Sequence, residues 1–172
     1  RSIPSVVYEV KRLSSEGVRE FNLIAQDSSF YGRDLNDGTT LARLLKELVK
    51  IDNVKWIRLF YLYPTYFDDE LLEIITKEEK ICKYVDIPLQ HISDSVLRRM
   101  HRRDSSQSIK KLLKKLRNTT PYITIRTTLM VGFPGETEAD FKELLTFIKA
   151  VKFDNMGAFT YSAQDGTPAA RM

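Results

Sequence analysis

The sequence predicts an α/β fold, a partial (β/α)6 TIM-like barrel without its first strand, and three observations carry that expectation. Short apolar or alternating runs recur five times, amphipathic stretches with helical spacing separate them, and the chain opens on a helix instead of a strand. Strands that alternate with helices of roughly 10 to 15 residues pair in parallel through right-handed crossovers. Five strands are too few for a closed eightfold barrel, which takes about 250 residues. With a strand restored ahead of the first helix the count is six, an open barrel.

Taken in order, Ser5–Ser15 is amphipathic, and Gly17 stops it before the strand candidate Glu20–Ala25. Leu41–Lys50 is the next helix and Trp56–Leu62 the next strand; Asp69–Lys77 and Tyr84–Leu89 repeat the pair. Pro88 cannot donate a ladder hydrogen bond, so the third strand must be irregular there. Ser93 and Asp94 can cap Val96–Arg102, which runs on to Ser108–Asn118. Ile123–Val131 is the fourth strand. Thr137 with Asp140 resembles a capping box opening Ala139–Val151, and Met156–Tyr161 is the fifth strand.

With 172 residues, 42% of them hydrophobic and 29% charged, the chain can build a packed core and reads as one soluble domain. No apolar run approaches the roughly 20 residues of a membrane span, and no signal segment opens the chain. A cytoplasmic protein without membrane contact is expected. Cys82 is the single cysteine, so neither an internal disulfide nor a cysteine-held metal is possible within the chain. The opening Arg1-Ser2-Ile3-Pro4 lacks an initiator methionine, and a piece of a longer polypeptide is expected.

Charge is uneven. Arg98 to Arg117 carries nine basic residues against Asp104, a net +8, although the whole chain is only +4. Such a stretch can attract RNA. Ile109, Leu112, Leu113 and Leu116 at i, i+3, i+4 and i+7 favour the plainer reading, a helix with one buried and one solvated face.

In parallel α/β folds ligands gather at the carboxyl ends of strands. The first strand runs into Gln26 and Asp27, which offer an amide and a carboxylate, or else cap their own loop. Tyr63-Pro64 follows the second strand, with packing the expected task of Tyr63. Gln90, His91 and Ser93 follow the third. The fourth ends in Met130-Val131-Gly132-Phe133-Pro134-Gly135-Glu136, whose glycines allow close backbone approach to a ligand. Arg126 lies inside an apolar strand, where it needs an anion unless it faces the surface.

These residues also carry a resemblance. Gln26-Asp27-Ser28-Ser29-Phe30-Tyr31-Gly32, then Tyr84-Val85-Asp86-Ile87-Pro88-Leu89-Gln90-His91 with Met100 and Arg102, then Val131-Gly132-Phe133-Pro134-Gly135-Glu136-Thr137 with Asp140-Phe141, resemble the radical S-adenosylmethionine core of the methylthiotransferases. The match spans nearly the whole chain in the right order. Ala25-Gln26-Asp27, Tyr31-Gly32 and Tyr61-Leu62-Tyr63-Pro64 resemble the branch that modifies a ribosomal protein more than the transfer-RNA branch.

The resemblance implies thiomethylation of an aspartate β-carbon in small-subunit ribosomal protein twelve, on or near the ribosome, using S-adenosylmethionine and two 4Fe–4S clusters. It places Gln26 and Asp27 near the methionyl amine and Gln90, with His91 or Ser93, toward the ribose or substrate. The backbone of Met130, Val131 and Gly132 would flank the adenine, and Arg126 would take the methionyl carboxylate. The cysteines that hold the clusters and the carboxy-terminal TRAM domain of the family are not in the chain, so residues 1–172 correspond to a core fragment expected to be inactive by itself. A non-catalytic RNA-binding βα module is the competing reading.

Overall fold

A computed structural model describes all residues from Arg1 to Met172. The elements are α1 (Ile3–Ser15), β1 (Glu20–Leu23), α2 (Leu41–Leu48), β2 (Trp56–Leu59), α3 (Asp69–Lys77), β3 (Ile81–Asp86), α4 (Asp94–Arg99), α5 (Ser106–Thr119), β4 (Thr124–Val131), α6 (Glu138–Val151) and β5 (Asn155–Thr160). The five strands form one sheet in sequential order, every pair parallel, as the alternation predicts. β1 and β5 are its edges.

Helix starts follow capping chemistry. Ser2, Thr40, Asp68, Ser105 and Thr137 each accept a first-turn backbone N–H through the side chain, and Ser105 with Ser108 and Thr137 with Asp140 form complete capping boxes. In β4 the period of two sorts the side chains: Ile125, Thr127 and Leu129 are buried, whereas Arg126, Thr128 and Met130 are half-exposed. Leu45, Leu48, Ile57, Leu59, Ile75 and Ile109 meet in the core. Each such side chain contributes about 1.5–3 kcal/mol by leaving water.

Strand limits depart from the sequence expectation most at β3, which spans Ile81–Asp86 instead of Tyr84–Leu89. The cause is Pro88. Thr127 Oγ1 fills the break, donating to the Ile87 carbonyl at 2.8 Å and accepting the Leu89 N–H at 3.4 Å. The ladder then resumes as a bridge between Gln90 and Leu129. The expected run from α4 into α5 is also interrupted: residues 100–105 form a linker in which His101 is left-handed and Asp104 is buried.

Candidate functional site

The carboxyl ends of the strands enclose two adjoining cavities. One, of about 570 Å³, is lined by Ala25, Gln26, Asp27 and Phe30 after β1, Tyr63, Thr65 and Tyr66 after β2, and His101 to Asp104 from the α4–α5 linker. The other, of about 450 Å³, lies between Gln90, Met130, Phe133, Arg99 and Met100 and the segment Thr167–Met172. Tyr63, His101 and Arg102 line both, so the two are halves of one mouth. Two non-glycine residues lining it, Gln90 and His101, have φ of 66° and 54°. Left-handed backbone at such residues costs about 1–3 kcal/mol and clusters at functional sites.

Asp27 divides its oxygens. Oδ1 accepts the Ser29 hydroxyl at 2.5 Å and the Phe30 N–H at 3.2 Å, capping the turn Ser28–Phe30, and the second oxygen carries no such bond. Both expectations for this residue, loop cap and ligand group, are therefore compatible with one side chain. Gln26 is exposed beside it. Tyr63 packs as expected, with the Arg102 guanidinium 4.2 Å from its ring centroid. Arg102 also donates to the Pro88 carbonyl at 2.6 Å, and its side chain is 9% exposed. It links the turns after β2 and β3.

The residues grouped after β3 separate in the structure. Gln90 stays at the mouth. His91 and Ser93, expected with Gln90 toward the ribose or the substrate, turn inward and are 0% and 3% exposed. Ser93 donates to Asp140, which also accepts from Ser95 at 2.8 Å and from the Thr137 hydroxyl and N–H. The Ser93 bond first, then those of Thr137, hold the Asp140 carboxyl far below the usual carboxylate range. His91 points at Glu136, which Oε2 ties to the N–H groups of Gly132 at 2.5 Å and Phe133 at 3.1 Å.

Arg126, expected to take the methionyl carboxylate, has a partner within the chain. It does meet a carboxylate, but that of Asp86, whose two oxygens each lie 3.0 Å from Nη1. Asp86 is fully buried and sits opposite Arg126 in the β3–β4 register, below the level of Gln90 and Met130. Of the expected site residues, Gln26, Asp27, Gln90 and Met130 line the mouth; Val131, packed against the core, ends β4, and the exposed Gly132 follows it. Gly135 is needed for a different reason: a Cβ there would stand 2.6 Å from the Arg99 guanidinium.

Half-buried Cys82 has its thiol pushed up by desolvation and lies away from the mouth, among Trp56, Arg58 and Tyr84. In the basic stretch, Arg102, Lys110, Lys115 and Arg117 have carboxylate partners within 4.0 Å. Four of its nine cations are thus paired inside the molecule. No helix is long and apolar enough to cross a membrane.

Parallel strands, an open sheet and cavity-lining polar residues at the strand ends describe a class, and the family model of the radical SAM superfamily matches residues 1–148. The chain belongs to that superfamily. It is 52% identical over all 172 residues to the ribosomal protein uS12 methylthiotransferase RimO of Pelobacter propionicus, and 50% identical to that of Geobacter sulfurreducens. It spans 38% of the length of each of these relatives. Among solved structures, it resembles the radical S-adenosylmethionine methyltransferase TsrM of Kitasatospora setae, with cobalamin and a [4Fe-4S] cluster bound (TM-score 0.76, 18% identity, 99% of this chain and 31% of that one). Coproporphyrinogen III oxidase HemN of Escherichia coli, described as a radical SAM enzyme, aligns with TM-score 0.69 and 15% identity over 98% of this chain and 40% of that one. These two likenesses concern the fold.

Proposed function

We propose that the chain is part of the catalytic core of a methylthiotransferase that acts on ribosomal protein uS12, modifying an aspartate β-carbon by radical S-adenosylmethionine chemistry. The observation that carries this reading is the identity of about half the residues, over the entire chain, to proteins named for that activity. The mouth residues fit the cofactor: Gln26 and the free oxygen of Asp27 offer acceptors to the methionyl ammonium, and Gln90 offers an amide to ribose hydroxyls. Met130 and the Val131–Gly132 backbone offer an apolar edge and close approach to adenine. Arg126, engaged by Asp86, and the buried His91 and Ser93 are left out of this contact set.

When bound, the cofactor supplies the radical, and the chain's task is to orient it and exclude water. One cysteine cannot hold either 4Fe–4S cluster, so those ligands belong to sequence beyond these 172 residues. Without a cluster to anchor the methionyl group, the chain by itself should bind S-adenosylmethionine weakly. Mass spectrometry of ribosomal proteins from a strain lacking the parent gene tests the assignment. Loss of a methylthio group from uS12 is expected. An unchanged uS12, with the group missing from a transfer-RNA adenosine instead, would move the parent to the transfer-RNA branch.

A further inference from the structure

Two buried titratable side chains at the mouth have no part in the reading above. His91 is fully buried, and the Glu136 side chain is 6% exposed. The Ser93 backbone nitrogen lies 3.0 Å from His91 Nδ1. A backbone N–H only donates, so Nδ1 accepts and the ring proton sits on Nε2. That nitrogen has no hydrogen-bond partner, and Glu136 Oε1 lies 3.5 Å from it. Oε2 of the same carboxylate accepts the N–H groups of Gly132 and Phe133. Glu136 thus stands between an imidazole N–H from the β3 side and two backbone N–H groups from the β4 side.

The held turn is one that needs holding. Gly132 has φ +73°, a conformation glycine enters and leaves easily, so an external constraint must select it. We propose that His91 is a positioning residue: its Nε2–H aims Glu136 at the Gly132 and Phe133 amides and thereby sets the turn bordering the Met130 half of the mouth. Only the identity of the ligand beside that turn rests on the function proposed above. A histidine that merely fills space would be replaceable by a ring of similar shape without a donor.

The test uses the 172-residue chain, with no cofactor present. Nitrogen–proton correlation spectra of the imidazole should report Nε2 protonated and Nδ1 bare. Amide exchange is then compared at Gly132 and Phe133 in the wild type, His91→Phe, His91→Gln and Glu136→Gln. The phenylalanine and Glu136→Gln variants should speed exchange at both amides about tenfold or more, with Ile57 in β2 and Val85 in β3 unchanged. Glutamine, which restores a donor, should bring protection back to within about threefold of wild type. A ring protonated on Nδ1, or full protection in His91→Phe, overturns the proposal. Should His91→Phe fail to fold, the tautomer and Glu136→Gln still decide. Neither readout involves S-adenosylmethionine, so an error in the proposed function leaves these outcomes where they are.

Discussion

On the β3–β4 side of the mouth, acids bonded within the chain lock one loop to the next: half-buried Asp140 gathers Ser93, Ser95 and Thr137, Glu136 gathers two amides beside His91, and buried Asp86 takes Arg126. On the β1–β2 side the polar groups stay open to the cavity, with Gln26 exposed and Asp27 half-bonded. Arg102 over Tyr63 joins the two sides. The difference separates scaffold from ligand surface among residues of identical type. A carboxylate whose lone pairs are satisfied by its own chain is a brace, whereas one with a free oxygen at a cavity can serve a ligand.

That comparison breaks first at Asp86. Arg126→Met leaves a fully buried carboxylate without its cation and should cost about 3 kcal/mol, read as a lower urea midpoint at unchanged slope. Asp86→Leu together with Arg126→Met removes the stranded charge and should recover part of the loss. A single variant as stable as wild type would show that Asp86 is no brace. Arg102→Ala, which removes the link between the sides, is expected to cost about 2 kcal/mol, because a charge-assisted bond to Pro88 and the Tyr63 contact go together.

Asp140→Asn sharpens the comparison through pH. The folded-state pKa of Asp140 is depressed, so its contribution is present above the ordinary value of 3.8 and is lost as pH falls toward the folded value. The variant should be about 1 kcal/mol less stable near neutrality, the worth of a good cap. The gap should narrow as the solution is taken from about pH 6 to about pH 2. A gap independent of pH would mean that shape, not charge, fills the position.

How legible this was follows from the same split. The five strands and six helices could be read because buried faces repeat with period two or 3.6, and the capping box at Thr137 is a local pattern. β3 was displaced because Ile81-Cys82-Lys83 shows no clean alternation and Lys83 bends back to the carbonyls of Ile75 and Glu78. At the mouth, Gln26, Asp27, Gln90 and Met130 could be named from their place after strands. The inward turn of His91 and Ser93 could not, since nothing local distinguishes a side chain aimed at a ligand from one aimed at Glu136 or Asp140. For Arg126 the need for an anion was readable, but Asp86 is forty residues away and only the parallel register brings it opposite. Glu136 lies two residues before α6, and nothing local shows that its side chain folds back onto Gly132.

The smallest effect is expected on the solvated side of α4 and α5. Arg98, Lys111 and Lys114 are exposed and lack a carboxylate within 4.0 Å, in contrast to Lys115 with Asp69 and Arg117 with Asp154. Converting those three to glutamine should change stability by no more than about 0.5 kcal/mol, because no buried group depends on them. They are also the cations freest to meet phosphate, so the same variant separates a solvated helix face from an RNA surface. Each phosphate contact on single-stranded RNA contributes about 0.7 to the slope of log K against log salt, so a working RNA surface would lose about 2 from that slope. The helix-face reading, with Ile109, Leu113 and Leu116 buried beneath the lysines, expects equal slopes for wild type and variant in fluorescence anisotropy. A drop of about 2 would favour RNA contact through this face, and would do so without touching the mouth.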